Sequence, residues 1–105
     1  MTQIFNEKQL EDVLIGNPDV LIVIDFSATW CGPCKRIAPE VDKLERKYDF
    51  EIKVFKVDVD ECSEIAETMK VTAMPTFIYY KNNVEVARKV GANLSEIEKL
   101  IQEHK

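Results

Sequence analysis

The chain predicts an α/β fold: a central mixed five-stranded sheet with four helices distributed over both of its faces. Three observations predict it. Val20 to Phe26 is apolar on both faces except for Asp25, as an inner strand covered by helices on either side must be. Segments of helical period alternate with such strands through the first two thirds, which implies parallel strands joined by crossovers. Near the end, two strand-like runs are separated only by Lys81-Asn82-Asn83, which implies an antiparallel hairpin. The 105 residues suit one domain, residues 1–105.

Each element has a local reason. Residues 3 to 5 read as a short strand. Asn6 followed by Gln9 resembles a capping box, opening a helix with Leu10, Val13 and Leu14 on one face, and Gly16-Asn17-Pro18 stops it. After the strand from Val20 to Phe26, Ile37, Val41, Leu44 and Tyr48 recur at helical spacing, so a helix runs from about Cys34 to Lys47 with a kink expected at Pro39. Ile52 to Val59 is rich in β-branched residues and reads as a second inner strand, followed by a short helix over Ser63 to Met69. Thr76 to Tyr80 and Val84 to Val90 form the hairpin, whose asparagines accept positive φ. Leu94 to His104 closes the chain as a helix with Leu94, Ile97, Leu100 and Ile101 inward, capped by Asn93 or Ser95.

Composition narrows the function. The chain is 46% apolar and 31% charged, with a net charge of -5 and no Lys/Arg cluster interleaved with aromatics, so nucleic acid is not an expected ligand. The longest apolar run, Val20 to Ile24, is far short of the ~20 residues that span a bilayer, and no membrane association is expected. The N-terminus is polar within a few residues, without the pattern of a secretory signal, so the expectation is a cytoplasmic protein. No GxGxxG or P-loop occurs, and no cofactor of its own is expected.

The chemistry concentrates in Trp30-Cys31-Gly32-Pro33-Cys34-Lys35. A CxxC is a structural clip, half of a zinc site, or a redox pair. Zinc fails on ligand count, because a closed site needs four N/S ligands and only Cys62 and His104 remain, far apart. A permanent clip closes too short a loop to stabilise much. The redox reading is favoured by position: the pair follows the C-terminal end of an inner strand and opens a helix, where open α/β folds place their chemistry. A helix N-terminus favours a thiolate at Cys31, the attacking species in disulfide exchange. Cys34, one turn on and facing the packed side, is the less accessible thiol and is placed to resolve a mixed disulfide. Pro33 suits a first helical turn, Gly32 leaves the approach to Cys31 open, and Trp30 is a candidate apolar wall.

These residues also carry a resemblance. Asp25-Phe26-Ser27-Ala28-Thr29-Trp30-Cys31-Gly32-Pro33-Cys34-Lys35, then Ile37-Ala38-Pro39, Met74-Pro75-Thr76 and Val90-Gly91-Ala92, resemble the thioredoxin family over essentially the whole chain. The resemblance implies a thioredoxin fold and a general protein-disulfide reductase serving cell redox homeostasis. Cys31 would be its nucleophile and Cys34 its resolving thiol, with electrons supplied by a thioredoxin reductase from NADPH. Asp25 matches the family's buried carboxylate, which moves protons at the second cysteine, and Lys56 the lysine beside it. Pro75 matches a cis proline facing the cysteines, preceded by Met74, whose backbone bonds an extended substrate. Trp30, Gly32, Pro33, Met74, Gly91 and Ala92 match the docking surface, flanked by Asp58 and Asp60. Disulfide-containing target proteins are the implied partners and a monomer the implied state.

Blander readings stand beside these. Asp25 could reach water at a strand end, Pro75 could be an ordinary trans turn proline, and Gly91 could serve backbone conformation alone. Cys62, outside any CxxC, reads first as a small buried hydrophobe, and Met69 and Ala73 stand where animal members often carry companion cysteines. An isomerase or oxidant would usually carry a different, often His-containing, dipeptide in place of Gly32-Pro33. A scaffold with incidental thiols would survive the loss of both cysteines.

Overall fold

The structure is a computed structural model that describes residues 1–105. Its elements follow the expected order: β1 (Thr2–Ile4), α1 (Glu7–Gly16), β2 (Leu21–Ser27), α2 (Gly32–Lys47), β3 (Ile52–Asp58), α3 (Ser63–Thr68), β4 (Thr76–Lys81), β5 (Val84–Val90) and α4 (Leu94–His104). The five strands form one mixed sheet in the order β1-β3-β2-β4-β5. β3 is parallel to β1 and β2, whereas β4 is antiparallel to both β2 and β5.

The strand period of two sorts side chains into two cores. Leu21, Val23, Ile52, Val54, Phe77 and Tyr79 pack on one face against Ile37, Val41 and Leu44 of α2 and Ile97 and Ile101 of α4. Ile22, Ile24, Phe26, Val57, Ile78 and Tyr80 pack on the other, against Leu10 and Leu14 of α1 and Ile65 of α3. Full burial of one such aliphatic side chain contributes about 1.5–3 kcal/mol, so the central strand, buried at every position, anchors both layers. No helix is long and apolar enough to cross a membrane.

Local signals explain where boundaries moved. Asn6 caps α1 as expected, accepting from the Gln9 amide at 2.9 Å, but the Gln9 side chain bonds the amide of Phe5 (2.7 Å) instead of Asn6 itself. Asn93 is the cap of α4, accepting from the Glu96 amide at 3.1 Å, and Ser95 donates to it. Helix α2 begins at Gly32, two residues before the expected start, because Cys31 itself is the cap: its Sγ accepts the Cys34 amide at 3.2 Å. It then runs without interruption through Pro39. Lys81 belongs to β4, so the hairpin loop is only Asn82-Asn83, with φ of 50° and 64°. Positive φ at both positions matches the right-handed twist of the strands it joins.

Candidate active site

Cys31 and Cys34 are joined by a disulfide at the N-terminus of α2, with Cα atoms 5.3 Å apart. The turn is built locally: the Cys31 amide bonds the Ala28 carbonyl at 3.1 Å, and Pro33 occupies the first helical turn, where an N–H has no partner to lose. With Ala28 the two cysteines make a small apolar cluster, against which Val59 and Met74 pack. Contrary to the expected contrast in accessibility, both cysteines are buried, 4% and 5% exposed. Both pack in the same cluster with Ala28, Val59 and Met74, so the structure shows no difference in access between them.

The segments expected around the pair converge on it. The Met74–Pro75 bond is cis, and Gly91 donates its amide to the Pro75 carbonyl at 2.8 Å, fastening the end of β5 beside that loop. Trp30 is not core: it is 66% exposed, with its indole Nε1 donating to Asp60 at 2.8 Å. Pro33 and Ala92 line one recess together. Asp58 departs from the expectation of a flanking surface acid. It is buried, and its Oδ1 accepts the amides of Asp60 and Glu61 at 2.9 and 3.2 Å, which holds the turn that presents Asp60.

Gly91 has φ of +100°, and a Cβ there would meet nothing within 4 Å. The constraint is therefore torsional and not steric. Gly91→Ala is expected to cost about 1–2 kcal/mol in denaturant unfolding, through the left-handed backbone alone. An unchanged midpoint would show that the loop relaxes freely.

Beneath the pair lies Asp25, 2% exposed, with Oδ1 unpartnered. Register explains its setting. It shares the α2 face with Leu21 and Val23 and sits opposite Lys56 on β3 and Phe77 on β4. An open cavity of about 740 Å³ connects Asp25, Cys34 and Lys56 to solvent, so a half-buried cation and the second cysteine share one space with the carboxyl. Burial raises the Asp25 pKa to about 7; Lys56 opposes this and Asp42 adds to it. A carboxyl poised there can take or give a proton near neutrality.

Two contributors to that cavity escaped the sequence reading. Ser27, buried with its Oγ unpartnered, lies two residues from Asp25 and thus on the same face of β2. Asp42 joins Lys35, Ala38 and Pro39 along one side of α2. Strand parity and the 35-38-39-42 helical spacing carry both signals. Cys62 is buried, its Sγ 3.4 Å from the Phe5 carbonyl; burial pushes its thiol pKa up.

The thioredoxin family model matches residues 2–103. Thioredoxin-2 of Saccharomyces cerevisiae is 47% identical over 90 residues, 86% of each chain. The thioredoxin of Echinococcus granulosus is 52% identical over 84 residues, 80% of this chain and 78% of the relative. The X-ray structure of Fasciola hepatica thioredoxin superposes with a TM-score of 0.96 at 43% identity, covering 100% of both chains. By sequence, by fold and by the disulfide at the head of α2, the chain belongs to the thioredoxin family of disulfide oxidoreductases.

Proposed function

We propose that this protein is a general protein-disulfide reductase, working as a monomer in the reducing cytosol and recycled by a thioredoxin reductase that draws on NADPH. The observation that carries the reading is the placement of the dithiol: Cys31 caps α2, and Cys34 shares a cavity with a carboxyl titrating near pH 7.

In the forward direction the Cys31 thiolate attacks one sulfur of a target disulfide. The target S–S bond breaks, a mixed disulfide forms, and the displaced target thiolate takes up a proton. Thiolate character at Cys31 is supported by the Cys34 amide aimed at its Sγ and by the absence of acidic residues in the first turn of α2. Cys34 then gives its proton to the Asp25 carboxylate, with Lys56 steadying the charge, and attacks Cys31 Sγ. The bond between Cys31 and the target breaks, the second target sulfur leaves as a thiolate that takes up a proton, and the Cys31–Cys34 disulfide holds the two-electron oxidation. Trp30, Gly32, Pro33, Met74, Pro75, Gly91 and Ala92 form the surface on which the target lies, and Asp60 holds the Trp30 ring in place.

The test is the reduction potential of the pair, titrated against glutathione and dithiothreitol, with Cys31→Ser protein as the control. A value more negative than the glutathione pool is expected of an electron donor. A value well above it would assign the protein to oxidation or isomerisation.

A further inference from the structure

We propose that Arg36 is a specificity-determining residue that favours target segments carrying a carboxylate next to an apolar side chain beside the disulfide; this rests on the exchange reaction proposed above. Arg36 lies on α2, four residues after Gly32 and therefore above it on the same helical face. Its guanidinium folds back over the dithiol turn, with Nη1 3.2 Å from where a Cβ of Gly32 would stand. The residue is exposed, and no carboxylate of the chain pairs with it. Glu40, one turn further, is engaged by Lys43 at 3.3 Å.

The guanidinium borders a recess of about 250 Å³ lined also by Pro33, Ile37, Ala92 and Leu94 and by Glu40, the acid that Lys43 engages. This recess adjoins the dithiol turn, because Pro33 belongs to both. Trp30, the residue before Cys31, carries the Asp60 carboxylate on its indole, whereas the Glu61 carboxylate is engaged by Gln3. The two neighbourhoods thus differ in charge: an unpaired fork of N–H donors over a recess whose one acid, Glu40, is already paired, and the carboxylate of Asp60 beside Trp30. A chain with a net charge of -5 repels acidic segments in general, so a local unpaired arginine is the feature that would admit one and set its direction across the face. Guanidinium and carboxylate match as a planar bidentate pair, a geometry that lysine does not reproduce.

The test uses three synthetic peptides with the same disulfide and one variable position beside it, Glu, Gln or Lys. Their reduction is followed at low and at about 0.5 M salt, where a Debye length of only a few ångströms screens exposed charges. The wild-type protein is expected to prefer the Glu over the Lys peptide by about fivefold in kcat/KM, expressed in KM, with most of the preference lost at high salt. Arg36→Gln should bring the ratio near one, Arg36→Glu should invert it, and Arg36→Lys should keep part of it. Comparing peptides within each variant removes any general effect on folding or chemistry. Equal rates on the three peptides, or an unchanged ratio in Arg36→Glu, would overturn the role of Arg36 and leave the exchange reaction standing. No reaction with any peptide would overturn both.

Discussion

Replacing Cys34 with serine is expected to stop exchange at the mixed disulfide. Cys31 still attacks, and the target remains bound through a bond that dithiothreitol releases. The reason is proximity: Cys34 lies one helical turn from Cys31 in the same apolar cluster, at an effective concentration that no external thiol matches. Turnover on a protein disulfide should fall by at least about a hundredfold, while non-reducing electrophoresis shows a stoichiometric adduct. Cys31→Ser should form no adduct and turn over no substrate. If Cys31→Ser formed the adduct and Cys34→Ser did not, the two sulfurs would exchange roles.

Asp25→Asn should make the protein more stable at alkaline pH and slower in its chemistry. The native carboxyl titrates near 7 because burial disfavours its charge, against 3.8 for an unburied group. Below about pH 4 both folded and unfolded chains hold the proton, and the residue costs nothing through ionisation. Between about pH 4 and 7 the unfolded chain releases a proton that the folded chain retains, so stability falls as pH rises. Above 7 the folded carboxyl ionises too, and the deficit levels off at about 4 kcal/mol, the energy of a three-unit shift. Asn keeps the shape and removes the charge. Its stability advantage should therefore be near zero at pH 4 and grow to about 2–4 kcal/mol at pH 8, measured by denaturant titration. Parallel curves over that range would mean that Asp25 is hydrated through its cavity and not desolvated. The same variant should slow reduction by up to about a hundredfold near neutral pH, since Cys34 loses its proton acceptor.

Much of this was legible before folding because the signals are local. An asparagine three residues ahead of the amide it caps, a strand too apolar for one wet face, and two asparagines between β runs each act within a few residues. The CxxC is equally local, and its place between strand and helix already marks a redox-active pair at a helix start. What failed was also instructive. The expected start of α2 at about Cys34 rested on the apolar spacing from Ile37 onward, whereas the helix begins at Gly32 with the sulfur of Cys31 as the capping acceptor. The expected contrast in exposure between the cysteines is absent, because both are packed in the same apolar cluster with Ala28.

The sequence by itself determined the order and type of the elements, the dithiol and its helix, and the presence of one acid in an otherwise apolar strand. Only the tertiary structure decided which way that acid faces. A strand apolar on both sides has no amphipathic pattern to orient Asp25; its direction comes from the register of β2 with β3 and β4. The same long-range pairing sets Lys56 opposite Asp25, and the packing of α2 across the sheet roofs them with Cys34 and Asp42. Desolvation depends on everything within several ångströms in space, so residues as distant in the chain as Lys56 and Phe77 help to settle the protonation of Asp25, and no local pattern encodes them.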